Sequence, residues 1–261
     1  GYRVPVPAAA VVAAAFIAVA SWINLPFSDR RTMFAAEDWG RDVLDSVPVS
    51  ATLVGKKDVQ LFTLWYLQTV LGERPDVKLV SQGLSGALWY QNSNRLWRPE
   101  LKLFNLNTGG ASEWSAFLKS NPGGVYATFD TELPDGILTS PRGLVNSLVP
   151  GAAYERGRAW NLRWLKSGYR DFFAKDLGAY YAAGIVALAA WHNNNGGMGP
   201  EDAVRLTLAM EMDPDLPDAP LYLGFYYSSA GNWSGAAASF RKAADVNSRL
   251  LALSEEYRTL P

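Results

Sequence analysis

Asp58 and Asp76 stand beside short apolar runs, where an open α/β sheet presents polar groups to a ligand at its carboxyl edge. They are the best buried-acid candidates of the chain. The structural alternative is that Asp58 caps the helix after it, while Asp76 closes an Asx-type turn beside Arg74. Lys56 and Lys57 precede Asp58 and would attract an anion to the same turn, although paired lysines commonly do no more than solvate it. Trp65, Tyr66, Trp89 and Tyr90 have the rings needed to stack on a sugar. At helical spacing such residues also build cores, and core packing is the expectation for all four. His192 is the one histidine, at a helix end beside three asparagines, and a structural or surface role is expected of it.

Composition removes several chemistries. Among 261 residues there is no cysteine, so disulfides, thiolate metal sites and Cys nucleophiles are excluded. The net charge of −1 comes without a basic stripe, which argues against nucleic acid as a partner. The Gly-rich stretch 121–124 lacks the Lys-Ser/Thr ending of a phosphate loop. No cofactor and no metal is expected. With 49% hydrophobic residues the chain can build a full core. Ten Trp, twelve Tyr and eleven Phe suit protein interfaces and the membrane–water boundary as well as a core.

The elements that must position these residues follow from periodicity. Residues 4–28 carry no charge, and 8–25 would make a helix about 27 Å long, near the lower limit for crossing a bilayer. Trp22 and Phe27 are placed as interfacial aromatics, with Arg30 and Arg31 following in water. Ala18-Val19-Ala20 also resembles a signal-cleavage site, and an Ala-rich core helix is a further alternative. Residues 29–45 read as an amphipathic helix capped by Ser28 or Asp29. From 49 to 150 strand-type runs (50–55, 77–81 and 123–130) alternate with helical segments, the one at 112–121 capped by Ser112, predicting a small parallel or mixed sheet with flanking helices that ends at a Pro150-Gly151 boundary. Beyond 154 the chain reads as helical, with breaks at Gly168 and Gly178. Near the C-terminus Leu223, Gly224, Tyr227, Gly231, Ala236, Phe240 and Ala243 fall at tetratricopeptide spacing. The expected organisation is a membrane-associated helix at 1–28, an α/β domain at 29–150 and an all-α tetratricopeptide-like domain at 151–261.

One stretch carries a family resemblance. Asp58, Phe62, Trp65, Tyr66 and Gln68, then Gly72, Arg74, Pro75, Asp76 and Val77, then Trp89 and Tyr90, reproduce a motif of the DUF2723 family. These are bacterial multi-spanning proteins related to a eukaryotic protein O-mannosyltransferase. The sequence departs at Lys57, where the family has Gly, and at Gln60, where it has a second acid. The resemblance implies that the Ala-rich helix is the last membrane span and that the rest is an extracytoplasmic domain with a repeat tail. It covers essentially the whole chain. The catalytic acid of such glycosyltransferases lies in an early loop between membrane helices, a segment with no counterpart here.

The resulting expectation is a non-catalytic scaffold subunit, not an enzyme, on the periplasmic side of a bacterial inner membrane. Its partners would be subunits of a membrane protein complex, photosynthetic or respiratory assemblies being examples, and the bilayer through the N-terminal helix. Trp22, Phe27, Arg30, Arg31, Tyr227 and Trp233 are its interaction candidates, beside the residues of the 56–90 region named above. The alternative is an accessory acceptor- or glycan-binding domain of a membrane glycosyltransferase. A secreted solute-binding domain is a third reading.

Overall fold

The computed structural model describes residues 6–29, 31, 33–149, 160–167 and 171–258. The expected breaks at Pro150-Gly151 and Gly168 lie outside them, as do Arg30 and the side chain of Phe27.

Three parallel strands organise the first half: β1 (Thr52–Gly55), β2 (Lys78–Ser81) and β3 (Val125–Ala127). A hairpin of β4 (Ser140–Arg142) and β5 (Val145–Ser147) joins antiparallel to β3, giving the order β2-β1-β3-β5-β4 with β2 at an edge. Register places Leu53 beside Leu79 and Tyr126, and Val54 beside Val80 and Ala127. Because side chains alternate across a strand, the first trio faces one core and the second trio another. Both faces are covered, as parallel sheets require.

On the first face lie α2 (Ala35–Ser46), α3 (Asp58–Thr69) and α6 (Phe172–Asn194). Their Trp39, Val43, Leu64, Leu67, Leu177 and Tyr181 form one cluster with the strands. On the second face α5 (Ala111–Ser120) brings Trp114 and Phe117 against Val54 and Val80. Helix α4 (Leu88–Trp97) stands beside the β2 edge. The helical half continues with α7 (Pro200–Met212), α8 (Asp218–Ser229) and α9 (Trp233–Arg258). Leu206, Met212 and Leu223 of α7 and α8 belong to the same core as the sheet's first face.

Four local expectations are corrected. The amphipathic helix begins at Ala35 and not near residue 29, because α1 (Val6–Ser28) runs on to Ser28 and Asp29 turns back on Arg31. The residue before α5 is Gly110, not the expected cap Ser112. The β4–β5 hairpin adds two strands that periodicity does not show. Gly178 sits inside an unbroken α6, where its role is close packing: a Cβ there would meet the Trp164 ring at 3.1 Å and the Met212 carbonyl oxygen at 3.2 Å. Gly224 does the same in α8, where a Cβ would collide with the Phe240 ring of α9.

Helix α1 is exposed from Ala9 to Leu25 apart from half-buried Ala20. Among the described residues, α6 is the helix long and apolar enough to cross a membrane, but half of it is buried within the protein, against α2, α7 and α8. That burial marks it as a core helix. The apolar stretch of α1, Ala9–Leu25, is shorter.

Candidate functional site: an aromatic groove between two helices

Helices α3 and α4 enclose a groove of about 420 Å³ beside the β2 edge. Trp65, Gln68 and Thr69 line it from α3, at the i, i+3 and i+4 positions that share a helix face. Trp89, Tyr90, Ser93, Asn94 and Trp97 line it from α4, with Arg98 at the end and Leu79 of β2 beneath. The expectation of four core aromatics is corrected here. Trp65 is half-buried and Tyr90 buried, but Tyr66 is 51% and Trp89 62% exposed. Trp97, which the sequence reading did not single out, is 84% exposed. Its signal was the i, i+4, i+8 series Trp89, Ser93, Trp97, which no other apolar residue of α4 completes into a buried stripe.

The groove is held open by bonds made beneath it. The Ser81 N–H donates to the Tyr90 hydroxyl at 3.0 Å, tying α4 to the end of β2. Burial pushes that phenol's pKa up. Gln68 donates both amide hydrogens inward, to the Arg74 carbonyl at 2.7 Å and the Val77 carbonyl at 2.8 Å. Asn94 donates to the Tyr90 carbonyl at 2.9 Å, and the Arg98 guanidinium donates to the Pro75 carbonyl at 3.3 Å.

The Arg-Pro-Asp turn supports this arrangement from behind. Arg74, at φ +47°, donates to the carbonyls of Leu44, Val47 and Pro48 at the end of α2, the usual duty of a cation at a helix C-terminus. It also forms a two-point ion pair with Asp76, which accepts the Ser50 N–H at 2.9 Å. Hydrogen bonds from the Arg74 guanidinium hold the Asp76 carboxyl down at about 2. Arg41 adds a second tie, bonding Glu73 at 2.7 Å.

Asp58 and Asp76 are therefore not buried acids: Asp58 is exposed and Asp76 half-buried. Nor does Asp58 cap α3; it is the helix's first residue, after Lys57. Lys56, Lys57 and Asp58 do sit at the carboxyl edge of the sheet, on a cleft of about 390 Å³ shared with Phe172, Phe173 and Asp176. Lys56 is paired with Glu132, and the Lys57 Nζ lies 5.5 Å above the Tyr180 ring. Behind the turn, Gln60 explains the departure from the motif acid. Its Nε2 donates to Asp130 at 2.9 Å, and its Oε1 accepts the backbone N–H groups of Lys56 and Lys57 and the Thr128 hydroxyl. An amide can serve both sides, whereas a carboxylate would oppose Asp130.

Among the described residues the buried acids are Asp202 and the α2 pair Asp38 and Asp42, which sequence reasoning missed. One turn apart on α2, Asp38 and Asp42 face the segment after residue 159. Asp42 accepts the Tyr181 hydroxyl, the Asn161 N–H and the Asn161 side-chain amide, each at 2.7 Å, and Asp38 pairs with Arg163. Burial raises the Asp42 pKa despite those donors. These bonds join α2 to residues over a hundred positions downstream and give the pair a structural task. His192 is bound through Nδ1 to Asp202 at 2.9 Å, locking the start of α7 to the end of α6. Among the described residues no three such groups converge to hold a metal ion.

Of the remaining candidates, Trp22 is exposed on α1, Arg31 is exposed just past its end, Tyr227 is half-buried on the main core and Trp233 is exposed at the start of α9.

The segment that builds the groove falls within a known family model. Residues 36–98, from α2 to Arg98, match the family model of TMEM260-associated domain 2. The mouse (Mus musculus) protein O-mannosyl-transferase TMEM260 is 36% identical over 78 residues, 30% of this chain and 11% of that protein. The chain thus spans only a small part of that relative's length. No solved structure matches significantly. The expectation that the chain is not an enzyme is corrected by this relative, a protein O-mannosyl-transferase by name. Together the exposed apolar stretch of α1 and this relationship indicate membrane association. Through its α2–α4 segment the chain is related to an O-mannosyltransferase-like family.

Proposed function

We propose that this chain is the extracytoplasmic, acceptor- or glycan-contacting domain of a membrane glycosyltransferase of the protein O-mannosyltransferase type. The observation that carries the reading is the exposed tryptophan groove, which lies wholly inside the matched segment 36–98. Exposed indoles cost solvation unless something covers them, and a groove with several fixed polar groups suits a ligand with both apolar faces and hydroxyls. Helix α1 is the membrane anchor in this reading, its apolar residues being turned to the surroundings along most of its length. The motif correspondence to the DUF2723 family supports the same placement, and the close Gly224–Phe240 approach supports a tetratricopeptide-like tail.

A transfer assay tests the proposal. Membranes containing the whole transferase of which this chain would be a domain are supplied with a mannosyl donor and a glycosylated polypeptide acceptor, and wild type is compared with the Trp89→Ala/Trp97→Ala pair. The reading expects the acceptor KM to rise about tenfold, the effect of ~1.4 kcal/mol, with kcat little changed. Transfer that does not depend on the chain, or an unaltered acceptor KM, contradicts it. A docking role in a larger complex is favoured by one other observation, exposed Trp233 at the outer end of the helical array. Trp233→Ala would then release the complex without changing the acceptor KM.

A further inference from the structure

Resting on the reading above, we infer that the α3–α4 groove recognises a neutral hexopyranose, the sugar part of a glycosylated acceptor and not its polypeptide. The chemistry of the lining selects this class. Trp89 and Trp97 lie two helical turns apart on α4, a rise of about 12 Å, and present their rings along one wall. Such rings pack against the C–H faces of a saturated ring, and their rigidity keeps the entropy of ordering low.

The polar groups are fixed before any ligand arrives. Because Gln68 uses both amide hydrogens on Arg74 and Val77, the part of its side chain left to a ligand is the carbonyl oxygen, an acceptor of set direction. Arg98, pinned to the Pro75 carbonyl, supplies donors at the far end, and Ser93 supplies a hydroxyl. A sugar hydroxyl donates and accepts, so it satisfies both kinds of partner. An apolar peptide side chain would leave them desolvated and unpaired, at a cost that discriminates strongly. An anion is disfavoured because it would meet the Gln68 carbonyl oxygen and find a single cation, Arg98, among the lining residues. A nucleobase could stack as well, but the chain's charge of −1 gives its phosphates no track to follow.

The test is calorimetric titration of the purified chain in detergent with mannobiose, with a glucuronic-acid disaccharide, and with an unglycosylated polypeptide acceptor. Mannobiose is expected to bind, to weaken at least tenfold in Trp97→Ala, and to weaken severalfold in Ser93→Ala, both variants keeping the wild-type melting temperature. Tighter binding of the acidic sugar overturns the inference. Binding of the bare polypeptide alone also overturns it while leaving the acceptor-contacting role standing. Failure of all three ligands to bind removes both.

Discussion

Arg74 holds Asp76 through two parallel bonds, Nε to Oδ1 and Nη2 to Oδ2, each 2.9 Å, while its remaining donors cap the carbonyl end of α2. One side chain thus fixes both the helix before β1 and the turn before β2. The groove depends on it indirectly, because Gln68 of α3 bonds the carbonyl of Arg74 itself and that of Val77, which follows Asp76. Arg74→Lys cannot reproduce the planar fork. A loss of about 2–3 kcal/mol in unfolding free energy is expected by denaturant titration, against less than 1 kcal/mol for Arg95→Lys on exposed α4.

The same pair predicts an acid dependence of stability. The folded pKa of Asp76 is about 2, below its ordinary 3.8, so its carboxylate contributes stability that is complete above about pH 4. That contribution disappears as pH falls from there through about 2. The stability difference between wild type and Asp76→Asn should accordingly be constant from pH 5 to 7 and shrink toward zero near pH 2. A difference that grows on acidification would reverse the assigned sign.

Gln60→Glu restores the acid of the related motif and sets it against Asp130, the present partner of Gln60 Nε2 at 2.9 Å. Two carboxylates at that distance, one of them at the buried position 60 and the other half-buried, cannot both ionise cheaply. Sharing a proton raises the pair's folded pKa, so the variant's deficit should be small at pH 4 and grow as pH rises, reaching roughly 2–4 kcal/mol at pH 7. Thermal melts of both chains at the two pH values measure this. Adding Asp130→Asn should recover most of the loss.

Gly224→Ala places a methyl group inside van der Waals contact of the Phe240 ring, which must then shift. Overpacking of this kind costs about 1–3 kcal/mol, and Phe240→Leu in the same chain should restore part of it. Hydrogen exchange should show the loosening first in α9, with α3 and α4 unaffected. An alanine variant as stable as wild type would mean that the α8–α9 contact is looser than described.

What the sequence announces and what it conceals differ for physical reasons. Leu53-Val54 and Leu79-Val80 are buried on both sides of a parallel sheet, so they read as apolar runs and β1 and β2 are visible directly. The β4 and β5 strands are three residues each, around Gly143 at φ +56°, too short for any alternation to register. Asp38 and Asp42 look like the wet face of an amphipathic helix, and nothing local reveals the partners that bury them, since Asn161, Arg163 and Tyr181 are 119 to 139 residues away or close to it. Trp89 and Trp97 mislead in the opposite direction. Their type says core, and only the placement of α4 at the sheet edge, where no further element among the described residues covers it, shows that they face outward.

The most direct measurement is the affinity of the intact, detergent-solubilised chain for mannobiose before and after Trp97→Ala. The account predicts saturable binding by wild type and at least a tenfold loss in the variant, with no change in melting temperature because Trp97 is 84% exposed. Equal affinity in the two proteins, or no saturable binding by wild type, would contradict it.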